Sequence, residues 1–103
     1  MTIAQYLRQG DLVLQRVPDA STDAPARPLT LAIGEESGHS HALTARLVSG
    51  GLGEGVIVLD APADLRVDGQ PWRHTAITVP PGTYRYWVQR ELSEGDEVRR
   101  VQD

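Results

Sequence analysis

Between Asp11 and Leu92 the apolar residues come in short runs of strand length, and glycine or proline stands at most of the breaks between them. The runs are DLVLQRV (Asp11–Val17), LTLAI (Leu29–Ile33), HSHALTARLV (His39–Val48), VIVLDA (Val56–Ala61), DLRV (Asp64–Val67), WRHTAITV (Trp72–Val79) and TYRYWVQREL (Thr83–Leu92). They are rich in β-branched and aromatic side chains, which pack well on a pleated surface. No long segment carries the period of an amphipathic helix, so helix is confined at most to short turns near either end. The pattern predicts an all-β fold: a small antiparallel β-barrel or sandwich of about seven or eight short strands.

The breaks carry their own chemistry. Residues 18–28, within VPDASTDAPARP, predict a flexible loop. SGGLGEG interrupts the chain before Val56, and DGQP predicts a turn because Asp-Gly tolerates positive φ. PPG turns the chain into Thr83, and the last residues, SEGDEVRRVQD, fit either a closing strand or a short helix. With 103 residues and no internal repeat, the chain is expected to form one domain, 1–103.

Alternation within the runs assigns faces, because successive side chains of a strand point to opposite sides of the sheet. In the third run His39, His41, Leu43, Ala45 and Leu47 share one side, opposite Ser40, Ala42, Thr44 and Arg46. The histidine side is the more apolar one and should face the core. Near the C-terminus Tyr84, Tyr86 and Val88 share one face, opposite Arg85, Trp87, Gln89 and Glu91.

Composition narrows the chemistry. The absence of cysteine removes disulfides, thiolate metal ligands, iron–sulfur ligation and thiol nucleophiles. All ten cationic side chains are arginine, so a Schiff-base lysine and a P-loop lysine are both excluded. No G-x-S-x-G elbow, EF-hand loop or dinucleotide fingerprint is present. A net charge of −4 argues against a nucleic-acid partner, although Arg and aromatic residues interleave in TYRYWVQRE. No apolar run is long enough to span a bilayer and MTIAQYLRQGD is not built like a secretory signal, which predicts a cytoplasmic protein without a membrane partner.

What remains is the histidines. The chain has three, and two stand one residue apart in GEESGHSHAL. Two inward imidazoles oppose joint protonation, through repulsion and desolvation, so their ring nitrogens need carboxylates, carbonyls, water or a metal. Imidazole is a common ligand of divalent transition metals. The expected site is therefore a metal held by His39, His41 and His74, with Zn or Fe as the cofactor. Glu36 and Glu91 are candidates for a fourth ligand or for orienting an imidazole. Such a metal could lower the pKa of bound water for hydrolysis, or bind a small oxygen-bearing molecule. The competing expectation is a non-enzymatic interaction or structural module whose histidines are core hydrogen-bonding residues. Its Tyr/Trp/Arg strand or an open sheet edge would then meet a partner or a second copy.

The early GD-L-V-L strand, G-H-x-H in GEESGHSHAL, the later His in WRHTAITV and the PPG-x-Y…QRE ending together resemble a small bacterial family of unassigned function. The resemblance covers Gly10 to Glu91 and implies no activity. More distantly, H-x-H on a strand followed by a proline-glycine turn is similar to the cupin superfamily, which implies a small, often metal-binding β-barrel. Only His39 and His41 match that pattern by position. The carboxylate expected shortly after H-x-H and the His expected after the turn have no counterpart here.

Overall fold

A computed structural model describes residues 5–34, 39–69 and 76–89. These residues form eight strands and no helix: β1 (Tyr6–Gln9), β2 (Leu12–Val17), β3 (Arg27–Ile33), β4 (Ser40–Gly51), β5 (Glu54–Leu59), β6 (Ala63–Asp68), β7 (Ile77–Val79) and β8 (Gly82–Val88). All pairings are antiparallel, in the order β1-β2-β8-β5-β4-β6-β7, with β3 on the other edge of β4. The fold is the expected all-β one, wrapped into a nearly closed barrel. The parts of the predicted strands at Trp72–Thr75 and Arg90–Leu92 lie outside the described residues, as does the C-terminal segment after them.

Two expectations change at the level of elements. Tyr6–Gln9 is a strand, where only a short helical turn was allowed for. Leu7 packs on the core, and Gly10-Asp11 closes the hairpin to β2 with Gly10 at φ 60° and no positive φ at Asp11. Glycine first in a two-residue loop is the type II′ arrangement, whose twist suits the flanking strands. Likewise SGG does not end the third run. β4 continues through Gly50 and Gly51, and only Leu52-Gly53 separate it from β5.

β4 is the strand that makes the barrel. One edge of its first half pairs with β6 and the other with β3; its second half pairs with β5. A straight strand would put Ala42 and Gly53 roughly 36 Å apart. Yet the Gly53 amide donates at 2.8 Å to the carbonyl of Leu31, which lies at the bulge of β3 beside His41 and Ala42. β4 must therefore curl strongly. Its bulge between Leu47 and Ser49 and the positive φ of 86° at Gly50 supply local bends, as bulges do elsewhere in sheets. Gly55 serves the same hairpin: a Cβ there would stand 2.5 Å from the Ser49 carbonyl and 2.7 Å from the Tyr86 hydroxyl.

The enclosed core consists of Leu12, Leu14, Leu31, Leu43, Ile57, Leu59, Leu65, Val79, Tyr84 and Tyr86, with Ala32 and Ala45 filling between them. The alternation put Tyr84 and Tyr86 on one face of β8, and in the fold that face is the inner one, with Arg85 exposed on the other. Residues 18–26, expected to be a flexible loop together with 27 and 28, have no regular structure, and Arg27 and Pro28 belong to β3. The segment is strapped over the outside of the sheet. Ala20 N–H donates to Thr83 Oγ1 at 3.1 Å and Thr22 Oγ1 donates to the Leu47 carbonyl at 3.0 Å. Arg46 donates from Nε to the Ala24 carbonyl at 2.8 Å and from Nη2 to the Thr22 carbonyl at 2.5 Å. That cover explains why Thr83 is buried although it lies on the outward side of β8.

Candidate functional site

His39 and His41 enter the molecule at the start of β4, where the chain returns from β3. The two ends of that connection are tied together: Gly34 N–H donates to the His39 carbonyl at 2.6 Å. Gly34 also has to be glycine, because a Cβ would collide with the His39 ring. The His39 imidazole thus rests against bare backbone. This is a packing reason for the glycine that the sequence pattern alone did not supply.

His41 points inward as its phase on β4 requires and is 3 % exposed, on the same side as Leu43 and Ala45. His39 is half-buried. The two ring centroids are 5.2 Å apart with an interplanar angle of 71°. Two imidazoles sharing one tetrahedral ion, with nitrogens at about 2.0–2.1 Å from it, have centroids roughly 5 Å apart. The observed spacing fits joint ligation.

One partner of His41 is Gln9, a residue the sequence reading did not single out. Gln9 is 4 % exposed at the end of β1. Its Nε2 donates to the Leu65 carbonyl on β6 at 2.8 Å, and its Oε1 lies 2.8 Å from His41 Nδ1. A carbonyl only accepts, so the Gln9 amide nitrogen faces Leu65 and its oxygen faces the histidine. His41 Nδ1 therefore carries the proton and donates, and a neutral ring then has its lone pair on Nε2. The sole signal in the sequence is a polar residue immediately before the Gly10-Asp11 turn, which by itself means only a hairpin.

The other predicted site residues, His74, Glu36 and Glu91, lie outside the described residues. Among the described residues no group of three His, Asp or Glu side chains is placed to hold a metal ion. Two of the three belong to connections between described strands. Glu36 belongs to the four-residue connection between Gly34 and His39. His74 belongs to the connection from β6 to β7, two residues before Ala76. The strand on the far side of that connection, β6, is the neighbour of the histidine strand, with Val67 opposite His41 and Asp68 opposite Ser40.

Two surface clefts lie elsewhere. One, of about 400 Å³, opens where β5 leaves β4 and β6 joins it, between Arg46, Asp60, Asp64 and Arg66. Its charges are partnered: Arg46 with Asp60 at 3.2 Å and Asp64 with the Thr78 hydroxyl at 3.0 Å, while Arg66 faces Asp68 at 3.8 Å. The other, of about 280 Å³, borders Glu54, Arg85 and Trp87. There the Arg85 guanidinium lies 4.9 Å over the Trp87 ring, and Tyr6 meets that ring edge-on at 6.5 Å. The Tyr/Trp/Arg strand thus splits: its tyrosines are core, and Trp87 is engaged by its own neighbours on the outer face.

The fold and site thus define a small antiparallel β-barrel with two neighbouring histidines where β4 begins. The chain belongs to the family described as a domain of unknown function, DUF8820, which matches residues 8–89. No curated protein and no solved structure matches the chain. The family is thus an uncharacterised one, and the likeness to cupins has no matching structure beside it. No helix among the described residues is long and apolar enough to cross a membrane.

Proposed function

We propose that the protein is a small metal-binding β-barrel whose ion, Zn2+ or Fe2+, is held by His39, His41 and His74. The observation that supports it is the pair of imidazoles 5.2 Å apart, one of them held with its proton on Nδ1 by a buried glutamine. Histidine ligands typically donate their second ring N–H to an oxygen acceptor in this manner. His74 is the remaining histidine of the chain and belongs to the connection from β6, the neighbour of the histidine strand, to β7. A water, or a carboxylate from Glu36 or Glu91, completes the shell. A water so bound is a nucleophile near neutral pH, which suits hydrolysis of a small molecule.

Untagged protein tests the reading. Elemental analysis should find about one Zn or Fe per chain, as expected for a site with three histidine ligands. His39→Ala, at the half-buried position, should lose the metal while keeping the β-type circular dichroism of the parent. Folded parent that takes up neither added Zn2+ nor Fe2+ ends the proposal. A second reading would then hold: His41 as a core hydrogen-bonding residue, which the Gln9–Leu65 relay also favours.

A further inference from the structure

We propose that Gln9 is the positioning residue of this site: one side chain holds His41 as the Nδ1–H tautomer and latches β1 to β6. The metal part of this rests on the reading above; the tautomer and the latch do not. In the sheet order four strands lie between β1 and β6, and no backbone ladder joins the two. The join is made instead by the Gln9 amide, which donates to the Leu65 carbonyl across 56 positions of sequence. The other half of the same amide accepts from His41 on β4, so β1, β4 and β6 meet at this one group.

The residue type follows from these two contacts. A buried amide is costly unless its donor and its acceptor are both satisfied, and here each has a partner of the opposite kind. Leucine would satisfy neither partner. Glutamate would accept from the His41 Nδ1–H but has nothing to donate to Leu65 when ionised. Asparagine is one methylene short of bridging both. Glutamine alone among these does two tasks: it joins β1 to β6 and holds the His41 proton on Nδ1. The same side chain thus serves the packing of the barrel and the orientation of His41.

The variants Gln9→Leu and Gln9→Glu separate the two tasks. Metal-free protein with 15N-labelled histidine, at a pH above the ordinary imidazole pKa, gives the His41 tautomer directly by long-range proton–nitrogen NMR. The parent should show the proton on Nδ1. Gln9→Leu should lose that preference and bind Zn2+ roughly 10–100-fold more weakly. Gln9→Glu should keep the tautomer and retain Zn2+ binding, while losing thermal stability with the Leu65 bond. A proton on Nε2 in the parent overturns the inference, and so does a Gln9→Leu variant unchanged in tautomer and Zn2+ affinity. The parent spectrum decides even if a variant does not fold. A parent with the Nδ1 proton, lost in Gln9→Leu, but with no affinity for Zn2+, refutes the metal reading and leaves the positioning by Gln9 standing.

Discussion

Among the described residues Tyr84 and Tyr86 are the bulkiest fully buried side chains, and each carries a hydroxyl into the barrel wall with a backbone acceptor waiting. Tyr84 donates to the Pro80 carbonyl at 2.8 Å, and Tyr86 donates to the carbonyl of Gly51. Burial, and secondarily the Glu54 carboxylate, push the Tyr86 hydroxyl above its ordinary range. The folded state therefore holds this proton more tightly than the unfolded chain does. Its contribution is complete below the unfolded value near pH 10 and is lost as pH rises through the folded one. Urea midpoints should fall more steeply with pH above about 10 in the parent than in Tyr86→Phe. At neutral pH the variant should be weaker by about 1 kcal/mol, because the Gly51 carbonyl loses its donor. A parent whose alkaline slope equals that of the variant would show that Tyr86 is not the group responsible.

Between elements, the arginine of β4 does more than decorate a surface. Arg46 ties the strap of residues 18–26 to the sheet through two carbonyls and reaches Asp60 with its remaining nitrogen. The pair with Asp60 is exposed enough that its own contribution is small. The two backbone acceptors matter more, since hydrogen bonds from a charged donor are stronger than neutral ones. Arg46→Ala should cost about 2 kcal/mol in denaturant unfolding and speed cleavage between Pro18 and Ala26 in limited proteolysis. Unchanged cleavage there would mean that Ala20 and Thr22 hold the strap by themselves. The composition of this segment did make its lack of regular structure legible. The hydrogen bonds that fasten it were not legible, because each joins positions more than twenty residues apart.

At the scale of the molecule, one core is shared by every strand: Leu14 from β2, Leu31 from β3, Leu43 from β4, Ile57 from β5, Leu65 from β6, Val79 from β7 and Tyr84 from β8, with Leu7 of β1 packed against it. A barrel with a single core should unfold in one step. Leu14→Ala, at a position with no solvent exposure, should lose about 2–5 kcal/mol. Tryptophan fluorescence and far-ultraviolet circular dichroism should still give one coincident transition. Two separated transitions would divide the barrel into independent halves at the bend of β4.

The order of apolar and polar residues determined the strand-rich class, most strand positions, the inward phase of His41 and the shared face of Tyr84 and Tyr86. All of these follow from a two-residue period that neighbouring positions carry by themselves. Tertiary structure alone decided that Tyr6–Gln9 would pair as a strand, that β4 would curl through its glycines, and that Gln9 would meet both His41 and Leu65. YLRQ is too short and too mixed to signal a strand; it gains one only by docking on β2. The Gln9 contacts exist because closing the barrel brings distant strands within reach, and no local pattern encodes which polar side chain will stand at the join.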